Sequence, residues 1–442
     1  MSDDGTTKVD AVVVGGGPAG LAAAFTMAKA GLEVVVVERG EYAGAKNVGG
    51  LLYGTVLDKL IPRFYERAPI ERPVSRRGLT YLGDGEHASL SFGADAWSRA
   101  PFNNTFIVYR SQFDKWLAAE TERAGATLLE STVADDLVYE GTNGDKRACG
   151  VALRGDDAIR ADAVILSDGA NALVTEKAIA ALRIRQGKHR QDWALGVKEI
   201  IGLPRERIQD RFNLEDDEGV ALDFFGTPFA GLIGGGFLYT ARESLHVGFV
   251  AKVDTVVRCG LRPSQIMEAF KQHPAVRKYL AGGELLEYSA HRIPEGGYDS
   301  VPELTASGAL IAGDAAGLVN ASLYKEGTNH AMESGNAAAE TVIAAKKTGD
   351  FSKKALAGYE EKLRAGVALA DLQKGRRIPH ILETSPEITE LYPKKVTSLL
   401  VDLFSVAAES KSKVQKRAVR RFLDGLPKYR FLRDALRARQ LL

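Results

Sequence analysis

The chain has 442 residues, too many for one small domain, and 45% of them are hydrophobic, enough for a sizeable core. A formal net charge of +1 makes no whole-protein case for nucleic acid binding. The two cysteines, Cys149 and Cys259, form no C-x-x-C and cannot by themselves hold a zinc site or a four-cysteine iron–sulfur cluster.

The N-terminus MSDDGTTKVD is polar, with no apolar signal core, so export is not expected. No run reaches the roughly 18 apolar residues that a membrane-spanning helix needs. Residues 11–14 then predict a buried strand. Gly15, Gly17 and Gly20 follow in the spacing G-x-G-x-x-G, with Pro18 and Ala19 inside it. Residues 21–30 are small and helical in character. A second apolar run, 34–37, ends on Glu38. This is the strand–turn–helix–strand unit that binds dinucleotides. The first glycine permits the turn, the second lets the backbone approach a pyrophosphate, and the third lets helix and strand pack closely. The phosphates then sit on a helix N-terminus. A carboxylate at Glu38 can accept both hydroxyls of an adenosine ribose.

Residues 41–60 read as a glycine-rich loop leading into a short helix, and 78–108 alternate in polarity like strands. Residues 110–124 predict a helix with Ser111 as N-cap. Strands are expected over 127–133 and 137–140, then a GTNGD turn, then a buried strand over 161–167 closing on Asp168-Gly169. Between 185 and 300 alternating strands dominate (194–201, 219–225, 232–239 and 245–251), interrupted by one helix over 263–272. Residues 309–312 return to the earlier style and run into Gly313-Asp314. The next helix is expected to begin near Gly327-Thr328 and to continue as a small-residue helix over 333–347. After Gly349 the chain reads as helical to its end.

An acid at the end of a strand, as in Gly313-Asp314, can accept a ribityl hydroxyl, which FAD carries and NAD does not. A helix N-terminus at Gly327-Thr328 could place free N–H groups at the flavin N1–C2=O edge and favour negative charge there. The seven histidines, His330 among them, make no metal-ligand spacing, and packing roles are expected for them. Residues 395–408 predict an amphipathic or buried helix. From residue 411 onward eleven Lys or Arg face two acids, Asp424 and Asp434, a local net of +9 that suggests a docking surface.

Taken together, these motifs resemble the glutathione-reductase-type flavoproteins. They resemble more narrowly the branch shared by aromatic hydroxylases, geranylgeranyl reductases and electron-transfer-flavoprotein:quinone oxidoreductases. Within it the chain is most similar to FixC-type proteins, through GAKNVGG (44–50), PRFYERAPIER (62–72), DWALGVKEII (192–201), GGGFLYT (234–240), FKQHPAV (270–276), EYSAHRIPEGG (287–297) and IAGDAAG (311–317). The resemblance implies an α/β (α+β) architecture. An FAD-binding Rossmann domain (1–184, returning over 301–350) carries an inserted β-sheet quinone domain (185–300, with strands from 78–108) and a helical partner-docking region (351–442).

The cofactor implied is FAD, held by Gly15, Gly17, Pro18, Ala19, Gly20, Glu38, Arg39, Arg110, Asp168, Gly169, Gly313, Asp314, Gly327, Thr328 and Asn329. No catalytic side chain beyond the flavin and no metal are expected. The quinone is expected at Gly234, Gly235, Phe237 and Tyr239. The implied partners are the alpha and beta subunits of an electron-bifurcating, NADH-oxidising electron-transfer flavoprotein, and a small ferredoxin-like iron–sulfur subunit. Such complexes serve processes such as nitrogen fixation, peripherally on the cytoplasmic face of the membrane. Residues 226–239, rich in Phe, Leu and Gly, are the expected membrane contact, and the basic tail the expected dock for the ferredoxin-like subunit. Hydroxylases of this branch follow their Asp-Gly with a serine and an arginine. Here Ala172 replaces the serine and the arginine is missing. Two other classes stay open: an NAD(P)H-dependent flavin reductase or monooxygenase, and a non-catalytic flavin-bearing scaffold.

Overall fold

The computed structural model describes residues 8–45, 49–142, 145–155, 157–190, 192–320, 322, 324–426 and 428–439. Outside them lie the polar start of the chain through residue 7, residues 46–48 of GAKNVGG, residues 143–144 of the GTNGD turn, and residues 440–442 of the basic tail. Two compact units result. The first combines Met1–Glu71, Asn104–Trp193 and Arg292–Arg376, and the second Arg72–Asn103, Ala194–His291 and Arg377–Leu442.

The first unit is built on an eight-stranded sheet. Lys8–Val14 lies between Val34–Val37 and Ala158–Leu166, parallel to both. Thr127–Leu129 extends the sheet beyond Val34–Val37, and Ala309–Ile311 extends it beyond Ala158–Leu166, again in parallel. Val34–Val37 and the last four residues of Lys8–Val14 are unbroken, buried apolar runs, as expected for parallel strands covered on both faces. Their carboxyl ends share one edge. Gly15 N–H donates to the Val37 carbonyl (2.9 Å), Ser167 N–H to that of Val14 (2.9 Å), and Ala312 N–H to that of Leu166 (2.8 Å). The four segments expected to meet the dinucleotide therefore leave the sheet together.

Several boundaries differ from expectation. The 127–133 strand stops at Leu129, and Ser131 is left-handed (φ 53°). The helix expected at 110–124 spans Arg110–Arg123, with Tyr109 rather than Ser111 at its N-cap and no side-chain cap. The chain after 350 is divided between the units. Leu356, Tyr359, Leu363, Leu369 and Leu372 join the first unit's core, and the Tyr359 hydroxyl donates to the Ile311 carbonyl (2.8 Å). Burying those side chains against the sheet is what draws 351–376 into that unit.

The second unit holds a seven-stranded sheet in the order Glu284–Pro294, Trp193–Gly202, Ser244–Lys252, Gly234–Thr240, Val220–Gly226, Arg76–Leu82, His87–Gly93. Helix Pro263–Gln272 packs Ile266, Met267 and Phe270 into its core. Residues 377–442 add the helices Leu391–Phe404, Lys411–Leu423 and Lys428–Ala438. Among the described residues no helix is long and apolar enough to cross a membrane.

Candidate flavin site

Each glycine of the opening turn has a different physical reason to be glycine. Gly15 has φ +103°, and a Cβ there would overlap the Ser167 carbonyl oxygen. A Cβ on Gly20 would overlap the Gly15 carbonyl oxygen. At Gly17 a Cβ would meet no atom of the described residues within 4 Å. Protein packing demands the first and third glycines, and the second lies where a ligand's backbone approach would need it. Gly17 is also the N-cap of helix Pro18–Lys29, with Pro18 in its first turn. No side chain caps that helix and no acid stands in its first turn, so its first N–H groups remain for an anion. The Glu38 carboxylate accepts from Gly16 N–H and Gly40 N–H, both at 2.7 Å. Two bonds leave a carboxylate acceptor capacity for ribose hydroxyls.

A second helix N-terminus meets this turn. Thr328–Thr348 starts after Gly327, again with no side-chain cap and no acid in its first turn. It packs on Pro18–Lys29 through small residues. A Cβ on Gly335 would overlap the Ala19 backbone, and one on Gly313 would come within 2.9 Å of the Ala19 Cβ and 3.6 Å of the Ala331 Cβ. Ser334 Oγ accepts from Gly313 N–H (2.9 Å) and holds the strand end in place. Asp314 follows, half-buried, and its carboxylate makes no side-chain hydrogen bond among the described residues. Burial pushes the Asp314 carboxyl up from the ordinary 3.8, and the Arg110 guanidinium pulls it part of the way back.

Arg110 is itself held by Asp114, Nε to Oδ1 at 2.8 Å and Nη2 to Oδ2 at 2.7 Å. Burial works against its charge, but Asp114 and then Asp314 leave its pKa above the ordinary value. A Cβ on Gly44 would come 2.8 Å from Asp114 Oδ2, so the loop after Glu38 closes directly on this pair. Gly15, Gly17, Pro18, Ala19, Gly20, Glu38, Arg110, Gly313, Asp314, Gly327 and Thr328 therefore belong to one neighbourhood of the first unit.

Two predicted side chains are engaged elsewhere, and a third is exposed. The Asp168 carboxylate caps helix Leu173–Ala181, accepting from Val174 N–H (2.8 Å), Thr175 N–H (3.2 Å) and the Thr175 hydroxyl. Burial raises its pKa against those donors. Neighbouring Gly169 has φ +72° and makes the turn. The Asn329 amide accepts from Val56 N–H (3.0 Å) and donates to Thr55 Oγ1 (2.9 Å) and Glu326 Oε1 (2.7 Å), so only its backbone is left for a ligand. Arg39 is exposed.

In the second unit the expected quinone residues lie on strand Gly234–Thr240. A Cβ on Gly234 would overlap the Val250 carbonyl oxygen, and one on Gly235 would come 2.5 Å from that of Phe224. Strand pairing alone explains both glycines. A bulky residue at Gly235 would break the sheet and so would not test quinone access. Phe237 and Tyr239 are buried and stacked, centroids 4.9 Å apart, on one face of the strand. Most of the large apolar side chains of 226–239, expected as a membrane contact, are buried within the second unit. Phe229, Leu232 and Leu238 join the second unit's core, and Phe237 is buried on the opposite face of the strand against Tyr239.

Comparison with known proteins bears directly on this geometry. Residues 10–191 match the FAD dependent oxidoreductase family, 193–293 the ETF-QO ubiquinone-binding domain, and 378–441 the C-terminal domain of the ETF-QO/FixC family. The probable electron transfer flavoprotein-quinone oxidoreductase YdiS of Escherichia coli K12 is 41% identical over 418 residues, 94% of each chain. Protein FixC of the same strain is 40% identical over 422 residues, 95% of each chain. The chain belongs to the ETF-QO/FixC family. It is a flavin-dependent oxidoreductase, and its cofactor is FAD. A geranylgeranyl bacteriochlorophyll reductase-like protein from Thermoplasma acidophilum shares the fold (TM-score 0.68, 19% identity, 99% of this chain and 100% of that one).

The cradle fits the cofactor of this ETF-QO/FixC protein. Two helix N-termini without side-chain caps, a carboxylate with spare acceptor sites at Glu38 and a carboxylate at Asp314 with no hydrogen bond among the described residues are donor and acceptor sets suited to a pyrophosphate, a ribose and a ribityl chain. Sequence reading missed Asp114, Ser334 and Gly335. The spacing Arg110–Asp114 (i, i+4) and the small-residue stripe Ala331, Gly335, Ala338 carried the signal for two of them.

Proposed function

We propose that this chain accepts electrons from an electron-transfer flavoprotein and passes them to a membrane quinone, as the FAD subunit of an NADH-oxidising, electron-bifurcating FixABCX-type complex. The observation that carries this reading is the pairing of an FAD cradle in one unit with a sheet domain that matches the ETF-QO ubiquinone-binding family over 193–293. With two cysteines the chain cannot ligate a four-cysteine cluster, so a small ferredoxin-like partner would have to bring it.

FAD when bound supplies two-electron storage suited to a two-electron acceptor. Gly17 and the first turn of Pro18–Lys29 would hold its pyrophosphate, Glu38 its adenosine ribose and Asp314 its ribityl chain. The first turn at Thr328 would favour negative charge at the ring edge it faces. No acid–base triad is needed.

Membrane contact is assigned to the C-terminal helices rather than to 226–239. Val419, Leu423, Tyr429, Leu432 and Leu436 stand exposed there among basic residues, the composition of an interfacial helix. Flavin reductase and monooxygenase activities have fold likeness alone behind them.

The test mixes the FAD-loaded protein with a short-chain quinone and either a reduced electron-transfer flavoprotein or NAD(P)H. Quinone reduction with the flavoprotein donor, and none with NAD(P)H alone, is expected. Rapid bleaching of the flavin by NAD(P)H alone would overturn the reading.

A further inference from the structure

His330 occupies the first turn of helix Thr328–Thr348 and is fully buried, yet neither ring nitrogen has a hydrogen-bond partner among the described residues. An unsatisfied buried imidazole is costly and calls for a ligand. Its Nε2 lies 3.7 Å from Glu326 Oε2 and 3.8 Å from Asp371 Oδ2. Those separations are too long for hydrogen bonds. They approach the roughly 3.3–3.6 Å between neighbouring donors around a tetrahedral metal with bonds of about 2.0–2.2 Å. The three donor atoms lie within 4.8 Å of one another.

We propose that Glu326, His330 and Asp371 bind one divalent first-row cation, zinc by preference, with a fourth position left to water. The donor set of one imidazole and two carboxylates suits such an ion. The second Glu326 oxygen takes the Asn329 amide (2.7 Å), an outer contact that orients the first. Glu333 adds negative charge nearby but stays out of the site, because Val367 N–H and Ala368 N–H occupy its oxygens. Asp371 is 40% exposed in its side chain and offers an entry path. The ion would tie residues 326–330 to helix Ala368–Lys374, within the first unit, and fix the start of the long helix.

The FAD-loaded full chain, stripped with a chelator and dialysed, is titrated with zinc chloride by calorimetry, with metal analysis after gel filtration. One zinc per chain and a higher melting temperature are expected. Asp371→Asn, near-isosteric and partly exposed, is expected to weaken zinc at least tenfold with an unchanged flavin spectrum. Glu326→Gln is expected to do the same. His330→Ala is expected to abolish binding, and if it fails to fold the two carboxylate variants decide. No stoichiometric zinc in the wild type, or zinc bound equally well by Asp371→Asn and Glu326→Gln, would overturn the site.

Discussion

Gly335 meets Ala19 backbone to backbone: a Cβ on Gly335 would overlap the Ala19 carbonyl group. That contact lets two helix N-termini stand side by side at Gly313. Gly335→Ala should therefore do two things at once. It should destabilise the fold by about 1–3 kcal/mol, the usual cost of overpacking. It should also loosen FAD, because Ala19 and Ala331 can no longer both close on Gly313. Urea unfolding and the rate of FAD release check both effects. Gly358→Ala, where a Cβ meets nothing within 4 Å, is the control and should be neutral or slightly stabilising. Equal behaviour of the two variants would remove Gly335 from the argument.

Asp314 trades stability for binding. Its carboxyl is half-buried, makes no side-chain hydrogen bond among the described residues, and is raised in pKa, chiefly by burial. A raised pKa means the folded state binds more protons than the unfolded one, so stability falls as pH rises from about 4 through the folded value. Asp314→Asn escapes that loss. Without FAD, the variant should melt higher than wild type at pH 7, and the difference should vanish below the ordinary carboxylate value of 3.8. With FAD the order should reverse, because a charge-assisted hydrogen bond worth about 1.5–3 kcal/mol is gone. Thermal melts of both forms across pH decide it. A variant less stable without FAD at pH 7 would show that the carboxylate has a structural partner.

Much of the flavin cradle was legible because its signals are local. G-x-G-x-x-G, the strand ending on Glu38 and the Gly313-Asp314 strand end each lie within a few residues of one another. Backbone sterics there depend on short-range geometry. What stayed hidden was non-local. Asp168 sits at a strand end like Asp314, but the helix after it, not a ligand, takes its oxygens. Gly234 and Gly235 look like room for a quinone, yet Val250 and Phe224 on neighbouring strands explain them. Cross-strand register is set by pairing partners far away in sequence, so a glycine's neighbour cannot be read from its own stretch. The same reason hides the fate of residues 351–376, whose place follows from Tyr359 and its neighbours packing on a strand some fifty residues earlier.

His246 should make the fold sensitive to acid. It is fully buried on strand Ser244–Lys252, and its pKa is lowered to about 3, first by burial and then by the Lys198 ammonium. The unfolded chain, with the ordinary value of 6.5, takes up a proton that the fold refuses. Stability from this group is complete above pH 6.5 and is lost as pH falls below it. At pH 5 the loss should be about 2 kcal/mol. His246→Gln should lack that component. The comparison is the change in unfolding free energy between pH 7 and pH 5 for each protein. Equal changes in wild type and variant would mean that His246 is protonated in the fold.

The basic C-terminal helices carry the last prediction. Not all of their charge is available to a partner. Arg417 pairs with Glu409, Arg421 makes a two-pronged pair with Asp402, and Arg430 pairs with Glu387. Asp434 is buried and anchors its helix through Ser385, Tyr392 and Arg433, so it does not offset the exposed charge. Reversing Arg417 or Arg421 would thus damage the fold's own contacts. Lys413, Lys416 and Arg420 are exposed, on the same helix as Val419 and Leu423. Charge alone would suit an acidic ferredoxin-like subunit, but exposed apolar side chains beside it favour an anionic lipid surface. Lys413→Glu, Lys416→Glu and Arg420→Glu together should cost about 3 kcal/mol of vesicle binding, more than a hundredfold, at about 1 kcal/mol per basic residue. Leu432→Ser with Leu436→Ser should weaken it further at high salt, where charge is screened and apolar insertion remains. Sedimentation with phosphatidylserine-containing vesicles measures both. Undiminished vesicle binding by the triple variant, with loss of a small iron–sulfur partner in pull-downs, would give this surface to the protein partner instead.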